Sequence, residues 1–403
     1  MAVKGIFMSN QGIAGERLGD FASAILVTQP TGTAPFLAMT SGMGKEPTQD
    51  AVFTWFEDGH ISGRAACVSG GTTTTVVVDD GSFYTPNTIL LVEETGEHLF
   101  VSAVAENSMT VIRGLAGTSV VAITGAHHVQ KIGNAFEESS GMPTAVTQQG
   151  APRMNYTQIF RNGWAISGTA KAVKYLTGSK LAYNKSMCAT YHAEDLERSF
   201  LWGKKALTTL NGKQFRLTDG VLAQIEQFGG TVLSAATDSG SGAVAGDLSR
   251  VDLEDFLQEI FAFNVKGQPN ERISFGGSMV LKVLNQMTFL DGTYEIKQGE
   301  SKLGINVSEV VTPYGTLKLM THPLMNESPV WTHEMYVMHP GGIKKRVLRE
   351  TFREDYDKDG NRLNGVDADE GVMTTECGIQ VGAARTMGIL RNVRKAAKSS
   401  LTV

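Results

Sequence analysis

The chain has 403 residues, with 36 Lys and Arg against 41 Asp and Glu, a formal net charge of −5. Charged residues at 19% and apolar residues at 41% are ordinary for a globular protein and exclude wholesale disorder. The lack of a positive surplus argues against a sequence-specific nucleic-acid binder. Glycine is over-represented, 45 Gly against 11 Pro, without the Gly-X-Y period of collagen, so many turns and few rigid stops are expected.

Met1 to Met8 lacks a long apolar run, and no later stretch reaches the ~18 consecutive apolar residues of a membrane span, so neither a signal peptide nor a span is predicted. Cys67, Cys188 and Cys377 are odd in number and far apart, without disulfide density or zinc spacing, which points to a reducing cytoplasm. Residues 1–50 are low in charge and rich in Gly, Thr and Pro. They read as an extended arm without a core of its own, whose anchors Ile25, Leu26, Val27, Phe36 and Leu37 pack on something else.

From 68 to 132 short β-branched and apolar runs alternate with turns. The runs are Thr72–Val78, Ile89–Val92, Leu99–Val104, Met109–Ile112 and His128–Ile132. Asp79-Asp80-Gly81, Thr95-Gly96-Glu97 and Glu106-Asn107-Ser108 separate them. This spacing predicts a small antiparallel barrel or sandwich. Leu181 to Leu207 then reads as one long helix. Leu181, Cys188, Leu196, Phe200 and Leu207 share a face, with Glu194, Asp195, Glu197 and Arg198 as solvent-facing charge. After Ser239–Ala243, Ser249-Arg250-Val251-Asp252 opens a second helix with a capping box, carrying Leu253, Phe256, Leu257 and Ile260 on one face. A strand at Arg272–Phe275 and a helix through Val280, Val283, Leu284 and Met287 follow. Strand signals then dominate at 305–311, 316–320, 330–338, 343–352 and 372–381. The class is α+β, since no alternating strand–helix register supports a doubly wound sheet.

The near-motifs for chemistry each lack an essential atom. Gly42-Met43-Gly44-Lys45 has Glu46 where a phosphate loop needs Ser or Thr, and Met39 where it needs Gly. His333-Glu334 begins like a zinc-protease helix, but Val337 replaces the second ligand and the run alternates like a strand. His192-Ala193-Glu194 resembles half of a deaminase zinc site without its Pro-Cys-x-x-Cys. Asp355, Asp357 and Asp359 before Gly360 start like a calcium loop, but Val366 stands where the bidentate Glu belongs, and a hydrophilic hairpin tip is the other reading. His127-His128 would need acids converging nearby, and neighbours on a strand face opposite sides. After Glu376 the stretch with Arg385, Arg391, Arg394, Lys395 and Lys398 contains no acid. It suits a phosphate, an acidic neighbouring subunit or plain solvent. No catalytic centre, metal or cofactor is predicted.

Several stretches resemble the major capsid proteins of tailed bacteriophages with the Hong Kong 97-type fold. They are Phe53-Thr54-Trp55-Phe56-Glu57-Asp58, Gly133-Asn134-Ala135-Phe136-Glu137-Glu138, Asn155-Tyr156-Thr157-Gln158-Ile159-Phe160 and Ile166-Ser167-Gly168-Thr169-Ala170. Val111-Ile112-Arg113-Gly114 with Gly117-Thr118 resembles the subfamily carrying a β insertion in its extended loop. The resemblance implies an N-terminal arm at 1–50 and an extended loop at 51–150 with an inserted β module at about 68–132. A peripheral domain would cover 151–215 with its spine helix at 181–207. An axial domain at 216–345 and a return to the peripheral domain at 346–403 would complete the chain. It further implies a non-enzymatic subunit that assembles in a bacterial cytoplasm as pentamers and hexamers, forming an icosahedral virion shell around double-stranded DNA without reading its sequence. Portal and scaffolding proteins, and a decoration protein, are the implied partners; no membrane is. An encapsulin-like nanocompartment shell and a glycan-binding tail or fibre protein are the alternatives. Covalent cross-linking, which some members perform through a Lys, an Asn and an acid, is not predicted.

Overall fold

The computed structural model describes residues 34–43, 45–59, 62–175, 178–235, 246–291, 296–298, 307–356 and 367–396. It forms two compact units, one made of residues 56–153 and the other of residues 1–55 with 154–403. Among the described residues no helix is long and apolar enough to cross a membrane.

The smaller unit is built on a closed six-stranded barrel. Its strands run in the order Arg64–Ser69, Thr75–Val78, Ser108–Ile112, His98–Ala105, Thr88–Val92 and His128–Asn134, which returns to the first. Strict alternation drives this closure: Leu90, Val92, Leu99, Val101, Met109, Val111 and Val129 point inward and are essentially fully buried. Their period-two spacing leaves the intervening side chains outside. The strand Arg64–Ser69 begins before the expected module boundary at 68. Its small residues Ala65, Ala66 and Cys67 give little alternation in sequence, yet it pairs with both Thr75–Val78 and His128–Asn134 and so closes the barrel. Thr72 to Thr74, expected as strand, precede the shorter Thr75–Val78. After the barrel, residues 135–149 are exposed without exception and contain no helix or strand.

The larger unit contains a four-stranded sheet in the order Lys45–Pro47, Ile343–Tyr356, Ala368–Val381, Gln158–Ser167. A seven-stranded sheet runs Thr231–Ser234, Gly388–Arg391, Met335–Met338, Glu271–Gly276, Gly315–Thr321, Val307–Thr312, Ile296–Gln298. The helix Arg250–Phe261 starts with the expected capping box between Ser249 and Asp252. Together with Ser278–Asp291 it buries Leu253, Phe256, Leu257, Ile260, Val280 and Val283 in one apolar cluster.

Two expectations are corrected here. The long helix spans Lys180–Trp202 and not 181–207. Gly203 ends it in extended backbone, where a Cβ would collide with the Ser199 carbonyl and lie 2.8 Å from that of Thr218. Leu207 therefore belongs to an exposed hairpin, Ala206–Leu210 with Lys213–Leu217, turning at Asn211-Gly212 with both φ values positive. Within the expected arm the backbone is not extended throughout: Pro35–Met43 is a helix and Lys45–Pro47 a parallel sheet strand. Phe36 is completely buried in the main core, with Leu37 packed against it. The anchors Ile25, Leu26 and Val27 lie outside the described residues.

Candidate functional site

A buried polar site in the larger unit centres on Glu197, which the sequence placed among solvent-facing charges. Glu197 is fully buried. Its two carboxylate oxygens accept from the main-chain N–H groups of Phe36 at 2.7 Å and Leu37 at 2.6 Å. A third bond, 2.8 Å, comes from Nε2 of buried His322. Pro35 at the first helical position has no N–H to satisfy, so Phe36 and Leu37 carry the donors the helix cannot use itself. A carboxylate from a distant helix thus caps them and complements the helix dipole. No local pattern announces this role, because the partners are separated by 161 and 160 positions.

The remaining candidates fall into structural duties. His192 is buried, and burial lowers its pKa, keeping the ring neutral. Nδ1 lies 2.6 Å from Asn162 Oδ1 and Nε2 2.7 Å from Thr375 Oγ1, so both nitrogens bind the long helix to the adjacent strands. Glu194 pairs with Arg198 instead of joining a metal site. His333 sits at the end of a short 3-10 turn with Nδ1 on the Val393 carbonyl, and the following Met335–Met338 is a buried strand. Lys45 and Glu46 of the failed phosphate loop make ion pairs with Glu350, Lys344 and Arg346 across the sheet. Asp355 is held by Lys185 at 2.8 Å and Arg353 at 3.0 Å. Asp357 and Asp359 lie outside the described residues. Of the C-terminal cations, Arg391 pairs with Glu226 and Glu334, Lys395 with Asp247, and Arg385 lies over the Phe263 ring; Lys398 is outside the described residues. Burial pushes the Cys67 thiol up to about 11 and the Cys377 thiol up to about 12, and raises that of Cys188. These groups stay protonated and unreactive.

What the described surface offers instead is contact area. The segment 135–149 displays Phe136 at 40%, Met142 at 97% and Val146 at 46% exposure, and the hairpin after the long helix displays Leu207, Leu210 and Phe215. Exposed apolar side chains of this kind mark surfaces for contact with another protein, and the internal polar sites serve architecture. The chain belongs to the SU10 major capsid protein family, whose model matches residues 7–394. It is 26% identical over 408 residues to the major capsid protein of Pseudomonas phage PaMx41, covering 97% of this chain and 96% of that one. Among solved structures it is similar to one from Mycobacterium phage Bobi, at 10% identity and a TM-score of 0.47, over 96% of this chain and 97% of that one. It is also similar to the SrpI encapsulin complex of Synechococcus elongatus PCC 7942, at 10% identity and a TM-score of 0.43, over 60% of this chain and 76% of that one. The protein is thus a tailed-phage major capsid protein and a component of the virion shell, and the expected α+β fold of the Hong Kong 97 type agrees with that membership.

Proposed function

We propose that this chain assembles as pentamers and hexamers into an icosahedral shell enclosing double-stranded DNA, through intersubunit contacts of its extended loop. One observation carries the reading: residues 135–149 are exposed at every position while presenting Phe136, Met142 and Val146. These apolar side chains gain little burial from their own chain and gain it when a second copy covers them. The proposed division follows the segments: residues 1–50 as the arm, 51–150 as the loop with its barrel, 151–215 and 346–403 as the peripheral domain, 216–345 as the axial domain. Assembly takes place in the bacterial cytoplasm with portal and scaffolding proteins and a decoration protein as partners. The net charge of −5 suits a wall that contains DNA without holding it. The subunit carries out no chemistry of its own.

The test pairs electron microscopy with light scattering on the recombinant chain and on a Phe136→Asp, Val146→Asp variant. Closed shells, or pentamers and hexamers, are expected from the parent chain. The variant should retain its circular dichroism spectrum and remain unassembled. A parent chain that stays monomeric with scaffolding protein added would sink the assembly reading, and normal shells from the variant would sink the role of the strap.

A further inference from the structure

His128 lacked converging acids in the sequence, and the barrel supplies them. Strand Thr88–Val92 runs antiparallel to His128–Asn134 with Val92 opposite Val129, so the next two residues, Glu93 and Glu94, arrive beside His128. The main chain fixes the approach: Glu93 N–H donates to the His128 carbonyl at 3.0 Å. The His128 N–H donates to the Glu94 carboxylate at 2.8 Å, and His128 Nδ1 lies 2.7 Å from Glu94 Oε1. One ligand atom each from Glu93, Glu94 and His128 lies within 4.8 Å of the other two. His127, just before the strand, is engaged elsewhere, with Nδ1 accepting from the Thr124 N–H at 3.1 Å.

We propose that Glu93, Glu94 and His128 form a binding site for a divalent transition-metal ion, Zn²⁺ by preference, at one end of the barrel. One imidazole nitrogen with two carboxylate oxygens is a borderline donor set, which suits Zn²⁺ and its neighbours better than Ca²⁺ or Mg²⁺. Three protein ligands leave a fourth position for water. The ligands stand on, or directly follow, hydrogen-bonded strands of a closed barrel, so little ordering is needed on binding.

The surrounding charge has the right sign. Arg64 Nε already contacts both Glu93 oxygens, at 2.9 and 3.0 Å, and each oxygen retains a further acceptor direction. Two carboxylates with one guanidinium leave a net negative charge beside a ring nitrogen. Asp79 adds to the negative field, whereas Cys67 stays a buried thiol and contributes no ligand. When the ion binds, Nδ1 presents its lone pair to the metal. The ring proton is then carried on Nε2. An occupied site would clamp the 93–96 turn to the strand from His128 and stabilise the barrel by mass action.

The experiment is calorimetric titration of Zn²⁺ alone into the untagged, chelator-stripped full chain, with His128→Ala, Glu94→Gln and Arg64→Gln variants in parallel. Thermal melts without metal establish that each variant is folded. One equivalent should bind to the parent chain, and His128→Ala and Glu94→Gln should each weaken uptake by at least about 10-fold. Arg64→Gln frees Glu93 from its competitor and should tighten it. Absence of one-equivalent binding, or binding unchanged in folded His128→Ala, overturns the site. Weaker uptake in Arg64→Gln would remove Glu93 from the ligand set and overturn the three-ligand proposal.

Discussion

Among the described residues each unit buries one glutamate completely, and the two do opposite kinds of work. In the barrel, Glu97 accepts from Arg113 at 2.8 and 2.7 Å and from the N–H groups of Gly114 and Val121, all within 24 positions of itself. In the larger unit, Glu197 holds Phe36, Leu37 and His322, none closer than 125 positions. Glu97 organises one loop of a contiguous module that alternation alone nearly specifies. Glu197 pins a distant segment into a core assembled from scattered pieces. The larger unit adds more long-range polar ties: Asn155 reaches Asp219 and Ile379 carbonyls, Arg272 the Thr386 carbonyl, and Gln224 the Ile379 carbonyl and the Val381 N–H. Where local pattern is weak, buried hydrogen bonds select the partner, since a mispaired one leaves a desolvated group unsatisfied.

The sharpest way to break this contrast is Glu197→Ala. It strands two helix N–H groups and His322, whose Nδ1 is already without a partner in the described structure, in a buried site. Breaking such a site costs about 3–5 kcal/mol. All four tryptophans, Trp55, Trp164, Trp202 and Trp331, belong to the larger unit, and Trp202 stacks on Trp331 while meeting His322 edge-on. Tryptophan fluorescence during urea unfolding should therefore report the loss directly. Protease cleavage between 35 and 47 should rise. An unchanged midpoint would mean that Glu197 does not hold the arm helix.

Glu97→Ala is the matching break in the barrel. Burial opposes ionisation of Glu97, but the Arg113 hydrogen bonds and the Val121 and Gly114 N–H groups outweigh it and hold its pKa below the usual range. Removing the carboxylate leaves Arg113 near three carbonyl oxygens, those of Gly71, Thr73 and Val121, so the group is partly compensated and about 2–3 kcal/mol is expected. Hydrogen exchange should quicken at 113–123, while the tryptophan transition stays in place. A shift of that transition equal to the Glu197→Ala shift would erase the distinction between local and long-range clasp.

The barrel was legible in sequence because its strands are short, alternating and separated by Asp-Gly and Thr-Gly turns. Only the Arg64–Ser69 strand escaped, its Ala-Ala-Cys run carrying no alternation. The capping box at Ser249 was equally plain, being a local rule. The long helix was extended past its true end because Gly203 looks tolerable in a helix; what forbids continuation is the nearby Thr218 carbonyl, a tertiary fact. Glu197 was misplaced for a related reason. Helical phase puts it beside Leu196 and Phe200, and charge alone suggests water, but the deciding partners come from remote parts of the chain. At His128 the sequence favoured an ordinary strand histidine; Glu93 and Glu94 come beside it from across a strand pair, a neighbourhood that spacing does not reveal.

The third prediction separates the units by acid. His339 is 1% exposed and binds as a neutral ring: Nδ1 accepts from the Gly341 N–H at 3.0 Å, and Nε2–H donates to Asn264 Oδ1 at 2.9 Å. Burial first, then the nearby Arg272 guanidinium, pushes its pKa down to about 4. An unfolded histidine titrates near 6.5. Between about pH 6.5 and 4 the unfolded chain therefore binds a proton that the native chain refuses, and stability falls as pH falls through that window. The loss is on the order of 3 kcal/mol at about 1.36 kcal/mol per pKa unit, and it levels off below pH 4. His192, lowered by its own burial, adds a loss of the same sign. The barrel behaves otherwise. Its depressed carboxylates are Glu94, taken down to about 2 by the His128 N–H and ring, Glu97, and Asp80, lowered by the Ser82 hydroxyl and N–H. Their stabilisation is fully present above the ordinary carboxylate range and fades only as pH drops below it. Lowering pH from 7 to 4.5 should thus weaken the tryptophan-reported transition and leave hydrogen-exchange protection in the barrel strands intact. His339→Asn should flatten the tryptophan-reported slope by about one proton. A barrel that loosens in step with the larger unit above pH 4.5 would show that the two units share a single acid response, and the contrast drawn from their buried groups would fail.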